Sequence, residues 1–240
     1  MDLKDPKPFK FKQFEVHHHL STFKVNTDGV LLGCLADLHD CKTALDIGTG
    51  TGMISLILAQ RSPKLTITGI EIHPASAQQA AFNAEVSPFS HRIKIINADC
   101  FDYHYPQQYD VIVCNPPYFV GGTLPNKSKL SQAKHSDENF LKRLITKAAD
   151  LLSMEGTFKF LYPYSQDSKT EALITQSSLN LVKKTLLKSY TDSEPYACVY
   201  AVQRETTKKV EESFVLYKTK RVFTEEHLDL TREFYSWVND

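Results

Sequence analysis

From Thr43 to about Leu161 the chain repeats one pattern, a short β-branched apolar run followed by a helix-length amphipathic stretch. Thr43–Ile47, Leu65–Glu71, Ile93–Asn97, Tyr109–Cys114 and Gly156–Leu161 read as buried strands bounded by turn residues. Gly52–Arg61, Pro74–Val86 and Phe140–Leu152 read as the helices between them, with Pro74 suited to a first helical turn. Strand–helix alternation of this kind implies right-handed crossovers and a parallel sheet covered by helices on both faces. The expected fold is therefore α/β. After a helix near Gln166–Gln176, Asn180–Ser189 and Tyr196–Gln203 read as two strands around the turn Thr191–Pro195, a closing hairpin at one sheet edge.

Two pieces are expected outside this core. Phe9–His17 alternates apolar and polar residues, as an exposed strand would. Beyond the hairpin, Ser213–Lys218 reads as a strand and Thr224–Trp237 as a helix capped by Thr224. The expected organisation is one domain over residues 1–240, with an extension at 1–35, a core at 36–203 and a second extension at 204–240.

Composition narrows the function classes. Apolar residues make up 42% and charged residues 23% of the 240, enough to bury a real core. No apolar run approaches the ~20 residues that cross a bilayer, and Met1–Pro6 lacks a basic-then-apolar leader pattern. The expectation is a cytoplasmic protein with no membrane partner. Cys34, Cys41, Cys100, Cys114 and Cys198 are odd in number and never spaced as Cys-x-x-Cys, so reduced thiols are expected rather than disulfides or zinc. His17, His18 and His19 are adjacent, and adjacent strand residues point to opposite faces, so no metal is expected there. The formal net charge is zero, yet acids outnumber bases over 36–120 and bases outnumber acids over 121–221.

Asp46-Ile47-Gly48-Thr49-Gly50-Thr51-Gly52 ends the first strand and opens the first helix. Glycines there permit a tight turn and close approach of a ligand to backbone amides. A dinucleotide fingerprint is the competing interpretation, but its spacing is G-x-G-x-x-G, and a carboxylate at Asp46 would repel a pyrophosphate at the helix N-terminus. Asp46 would instead attract the ammonium of a methionine moiety and tolerate a nearby sulfonium. Glu71 ends the second strand, where an acid can accept hydrogen bonds from both ribose hydroxyls, a feature shared with NAD-binding folds. Asp99 ends the third strand, within reach of an adenine amino group. Three acids at successive strand tips beside a glycine loop point to S-adenosyl-L-methionine at the carboxyl edge of the sheet.

Asn115-Pro116-Pro117-Tyr118 follows the fourth strand. As a bare structural feature it is a proline turn, yet each residue also has a chemical use. Pro117 pushes Pro116 into an extended conformation and removes an amide donor, which frees the Pro116 carbonyl to face a pocket. The Asn115 side-chain carbonyl is a second acceptor. An exocyclic amine conjugated to a ring is flat and weakly nucleophilic; two acceptors on its hydrogens favour a pyramidal nitrogen with its lone pair aimed at a sulfonium methyl. Tyr118 offers a face for stacking a base, worth ~1–3 kcal/mol. Alignment supplies most of the catalysis of such a transfer, so neither a metal nor a strong base is required.

Over roughly residues 20–203, the glycine loop paired with Asn115–Tyr118 resembles the class I methyltransferases that act on adenine, cytosine or glutamine amino nitrogens. That resemblance implies a seven-stranded, mostly parallel sheet whose last strand is antiparallel. A narrower likeness lies in Phe23–Gly33: this segment, with the short N-terminal strand, is similar to the bacterial enzymes that methylate the adenosine immediately 3′ of the anticodon of valine tRNA. The resemblance implies that Thr27 and Asp28 flank the donor. Where that family often shows Ala-Arg-His, this chain has Ala133-Lys134-His135, and lysine lacks the planar fork that grips phosphate bidentately.

An anticodon-loop base is single-stranded, so swinging it into a pocket costs less than flipping one out of a duplex. Lys127, Lys129, Lys134, Lys142, Arg143 and Lys147 follow the catalytic motif and are candidate phosphate contacts, or simply a solvated helix face. The alternatives are N5-glutamine methylation of a release factor, a small-molecule methyltransferase and a non-catalytic RNA-binding module. The release-factor enzymes generally carry a helical domain ahead of the glycine loop, for which the residues before Asp46 are too few. The sequence leaves the oligomeric state open and is compatible with a monomer.

Overall fold

The computed structural model describes residues 3–21, 24–116, 127–235 and 237–238, without side chains over 127–137. In chain order the elements are β1 (Phe9–Lys10), β2 (Glu15–Val16), α1 (Thr27–Leu35), β3 (Thr43–Ile47), α2 (Met53–Arg61), β4 (Thr66–Glu71), α3 (Pro74–Glu85), β5 (Ile93–Asn97), β6 (Tyr109–Cys114) and α4 (Lys127–Leu151). They continue with β7 (Leu152–Pro163), α5 (Asp167–Thr175), β8 (Asn180–Lys188), β9 (Pro195–Gln203), β10 (Val210–Val215), β11 (Tyr217–Thr219), β12 (Val222–Phe223) and α6 (Glu225–Thr231).

Eight strands form the main sheet in the order β10-β8-β9-β7-β6-β3-β4-β5. Only β9 runs against its neighbours; the other pairings are parallel. Strands buried on both faces read as continuous apolar runs, and alternate residues divide between two cores. Ala44, Val111 and Val113 pack with α1 and α2. Leu45, Ile112 and Cys114 pack with Leu141, Leu144 and Ile145 of α4. The expected α/β sandwich is what forms, and no described helix is long and apolar enough to cross a membrane.

The differences lie in the flanks. The sheet has eight strands rather than seven because Val210–Val215 pairs with β8, so the β8–β9 pair sits one strand in from the edge. An uncovered β8 would present a row of unpaired backbone donors and acceptors, which β10 satisfies. The N-terminal segment is not an exposed strand but two short strands paired with each other, with Phe11, Phe14 and Val16 buried in the α1–α2 core. The final helix stops at Thr231 rather than Trp237, because Tyr235 leaves it to bridge Phe11 and the Phe234 carbonyl accepts from Lys12 N at 2.7 Å. α4 begins thirteen residues before the expected Phe140, and β7 begins at Leu152 rather than Gly156.

Candidate active site

The turn after β3 is glycine-rich because its backbone is left-handed three times, at Gly48 (φ 68°), Gly50 (φ 57°) and Gly52 (φ 80°). Gly48 N and Thr49 N both donate to the Ile70 carbonyl, at 2.8 and 3.1 Å, which ties the turn to the end of β4. Gly52 caps α2, and a β-carbon there would meet the Ala80 backbone at 3.4 Å. A β-carbon on Gly48 would meet nothing within 4 Å, so that face of the turn opens on free space.

Asp46 lies beneath this turn, fully buried. Its Oδ2 accepts from Thr49 Oγ1 at 2.6 Å, Ser55 Oγ at 2.8 Å and Ser55 N at 3.1 Å. Its Oδ1 has no hydrogen-bond partner among the described residues. Burial pushes the carboxyl up to about 6; the Thr49 and Ser55 hydrogen bonds pull the other way, and nearby Glu71 adds to the rise.

A cleft of about 700 Å³ runs along the carboxyl edge of the sheet. Gly48, Gly50, Glu71, Asp99, Asn115 and Pro116 all line it; Asp46, Gly52, Thr27 and Asp28 do not. Glu71 Oε2 accepts from Gly50 N at 3.0 Å and Oε1 from His73 N at 2.8 Å, and each oxygen keeps a lone pair for a ligand. Asp99 Oδ1 accepts from Phe101 N at 2.8 Å, which fixes the turn after β5. Asn115 is half-buried and Pro116 buried at the tip of β6. Pro117 and Tyr118 lie outside the described residues, as do the side chains of Lys127, Lys129 and Lys134.

Thr27 and Asp28 open α1 behind Asn26, whose Oδ1 accepts from Gly29 N at 2.8 Å. Asp28 Oδ1 accepts from Tyr196 Oη at 3.0 Å, joining α1 to the start of β9. At the start of α1 the residues that line the cleft are Asn26 and Gly29. A β-carbon on Gly29 would collide with Met53 Cε at 2.5 Å, so the missing side chain lets the helix start pack against Met53, with Asn115 Nδ2 alongside at 3.6 Å. An asparagine directly before Thr27-Asp28-Gly29 is a legible N-cap signal. Phe101, Phe140 and Arg143 also line the cleft, with the Arg143 guanidinium 3.9 Å above the Phe101 ring. Phe140 and Arg143 lie three residues apart on α4, whereas Phe101 follows β5, so only the fold brings the three together.

His17 Nδ1 accepts from Asp5 N at 2.8 Å, while the His18 and His19 rings each lie 3.7 Å from the Asp5 carboxylate. Among the described residues no group of three or more His, Cys, Asp or Glu could hold a metal.

The cleft suits a cationic amino-acid sulfonium joined to a nucleoside. An orphaned buried oxygen lies under the turn, open space lies over Gly48, and two carboxylates face one apolar cavity. An open, mostly parallel sheet with its acceptors gathered at one edge defines a class I methyltransferase, and S-adenosyl-L-methionine is the methyl donor. The family model described as "Methyltransferase small domain" matches residues 25–185, and the chain belongs to that family. Two relatives carry the name tRNA1(Val) (adenine(37)-N6)-methyltransferase. That of Flavobacteriaceae bacterium (strain 3519-10) is 37% identical over 96% of this chain and 99% of its own. That of Bacteroides thetaiotaomicron is 36% identical over 95% of this chain and 96% of its own. Among solved structures, a predicted O-methyltransferase of Agrobacterium tumefaciens superposes with a TM-score of 0.69 at 19% identity, covering 86% of this chain and 96% of that one; it shares the fold.

Proposed function

We propose that the chain transfers a methyl group from S-adenosyl-L-methionine to the exocyclic N6 of adenosine 37 in valine tRNA. One observation carries this reading: Asn115 and Pro116 open onto the same cleft as the glycine turn, Glu71 and Asp99, in a chain that aligns nearly end to end with relatives named for that activity. The donor supplies an electrophilic methyl on a positively charged sulfur. Asn115 Oδ1 and the Pro116 carbonyl accept the two amine hydrogens, turning the nitrogen lone pair out of the ring plane. Pro117 holds that carbonyl outward, and Tyr118 stacks on the target base. As the new N–C bond forms, the S–CH3 bond would break with its electron pair left on sulfur as a neutral thioether, and the surplus proton on nitrogen leaves to water.

On the donor side, Glu71 accepts from the ribose hydroxyls and Asp99 from the adenine amine. The turn Gly48–Gly52 admits the methionine moiety, with Asp46 beneath it supplying negative charge to the ammonium and Thr27 and Asp28 flanking the donor. The substrate is an anticodon loop, already single-stranded at the target base. Lys142, Arg143 and Lys147 on α4 meet its phosphates, continued by Lys127, Lys129 and Lys134. The enzyme works in the cytoplasm, as one domain over 1–240 and as a monomer.

Incubation with labelled donor and tRNA from a strain lacking the modification, followed by nucleoside mass spectrometry, tests the reading. N6-methyladenosine confined to valine tRNA is the expected product. Label on a protein glutamine, or on no RNA, overturns it.

A further inference from the structure

The edge strands carry a second surface that the methyl-transfer chemistry does not use. β8 and β10 run in the same direction as β6. The chain leaving β10 therefore emerges at the edge that carries Asn115. The β11–β12 hairpin emerges there with an exposed tip, Lys218-Thr219-Lys220-Arg221. Among the described residues, Lys218, Lys220 and Arg221 form no ion pair. The charge is therefore not consumed within the fold.

The hairpin is also preorganised. Tyr217 stacks on Phe223 at 5.0 Å; Phe223 in turn stacks on His227 at 4.3 Å and on Trp237 at 5.2 Å. Tyr190, exposed in the adjoining β8–β9 turn, lies 5.9 Å from Tyr217. At the tip Arg221 is left-handed (φ 64°), a conformation that favours glycine or asparagine, yet a long cation occupies it. The order β10-β8-β9-β7-β6 puts the hairpin four strand spacings from the catalytic tip, roughly 19 Å at ~4.8 Å per strand.

We propose that this hairpin is a phosphate-binding arm: Lys218, Lys220 and Arg221 grip the backbone of the helical RNA stem while the target base occupies the cleft. The inference rests on the tRNA reading above. It assigns the stem contact to the opposite flank of the cleft from Arg143, so the RNA is held from both sides. A-form stems are recognised mainly through backbone and shape, which suits cations on a hairpin braced by stacked rings. The nearby acids Asp192 and Glu194 would repel phosphate, which directs the strand over the hairpin rather than over the β8–β9 turn.

The test compares wild type with K218E/K220E/R221E, and with the milder K218Q/K220Q should the reversed charges disturb folding. Each is assayed on full-length unmodified valine tRNA and on a short single-stranded oligonucleotide of the anticodon loop alone. The expected result is a KM for full-length tRNA raised roughly tenfold or more by the triple change, with its salt dependence flattened by about 2–3 in log–log slope. The KM for the loop oligonucleotide, kcat and donor affinity stay unchanged. Equal KM values for wild type and variants on full-length tRNA, or an equal loss on both RNAs, overturn the arm. Failure of wild type to methylate any tRNA overturns the substrate reading itself, so the two failures are distinguishable.

Discussion

Asn115 projects from the end of a strand whose last residues, Val111–Cys114, are buried, so its side chain has a fixed origin. In the proposed mechanism, replacing it with alanine removes one of the two acceptors on the amine. The expected loss is about 10²–10³ in kcat, with the donor's calorimetric Kd nearly unchanged; retained turnover would remove Asn115 from the mechanism. Asp46 is a different kind of residue, buried and poised to titrate. An acid whose pKa is raised on folding stabilises the folded chain only while protonated: that contribution is complete below its ordinary value of 3.8 and is lost as pH rises through about 6. Thermal stability of the free protein should therefore fall across that window, and Asp46→Asn should flatten the fall. Donor affinity should move the other way, strengthening as the carboxylate forms, and calorimetric titrations on either side of pH 6 would read it. An affinity independent of pH in wild type would contradict the charge role. Asp46, Glu71 and Asp99 were legible because each closes an apolar run. That Asn26 and Gly29 line the cleft is decided by the fold, which brings the start of α1 beside Asn115.

Elements follow the same division. Strands β3, β5 and β6 agree with their sequence reading residue for residue: β3 and β6 are largely buried apolar runs, and β5, a half-exposed edge strand, is marked by its isoleucines between turn residues. Helix α1 went unread. Its Gly29–Cys34 are all buried, so it has no polar face and no 3.6-residue period to detect. Helix α2 depends on its left-handed cap, and Gly52→Ala tests that dependence. The new β-carbon is strained at φ 80° and crowded by Ala80, and the expected cost is about 1–2 kcal/mol in denaturant unfolding. Unchanged stability would mean that the turn relaxes freely.

At the scale of the whole molecule, one buried side chain joins the N-terminal segment to the glycine turn. Asn83 of α3 accepts from His17 N at 3.0 Å and donates to the carbonyls of His17 and Thr51, both at 2.8 Å. Asn83→Ala strands these buried backbone groups and should cost about 2–3 kcal/mol of stability. It should also weaken donor binding, since Thr51 belongs to the turn; a stability loss with unaltered donor affinity would separate the two effects. The C-terminal segment is integrated just as closely: Phe214, Leu216, Phe234 and Tyr235 share a core with Phe11 and Phe14. From sequence alone came the α/β class, the parallel core, the glycine turn and the strand-end residues proposed for the site, because periodicity and motif spacing are local properties of the chain. Only the tertiary structure decided that an eighth strand closes the sheet, that both termini pack into one core, and that a basic hairpin shares the catalytic edge. Each of those depends on contacts between residues far apart in the chain, where the gain from burial and from paired strand edges is settled by what else is nearby.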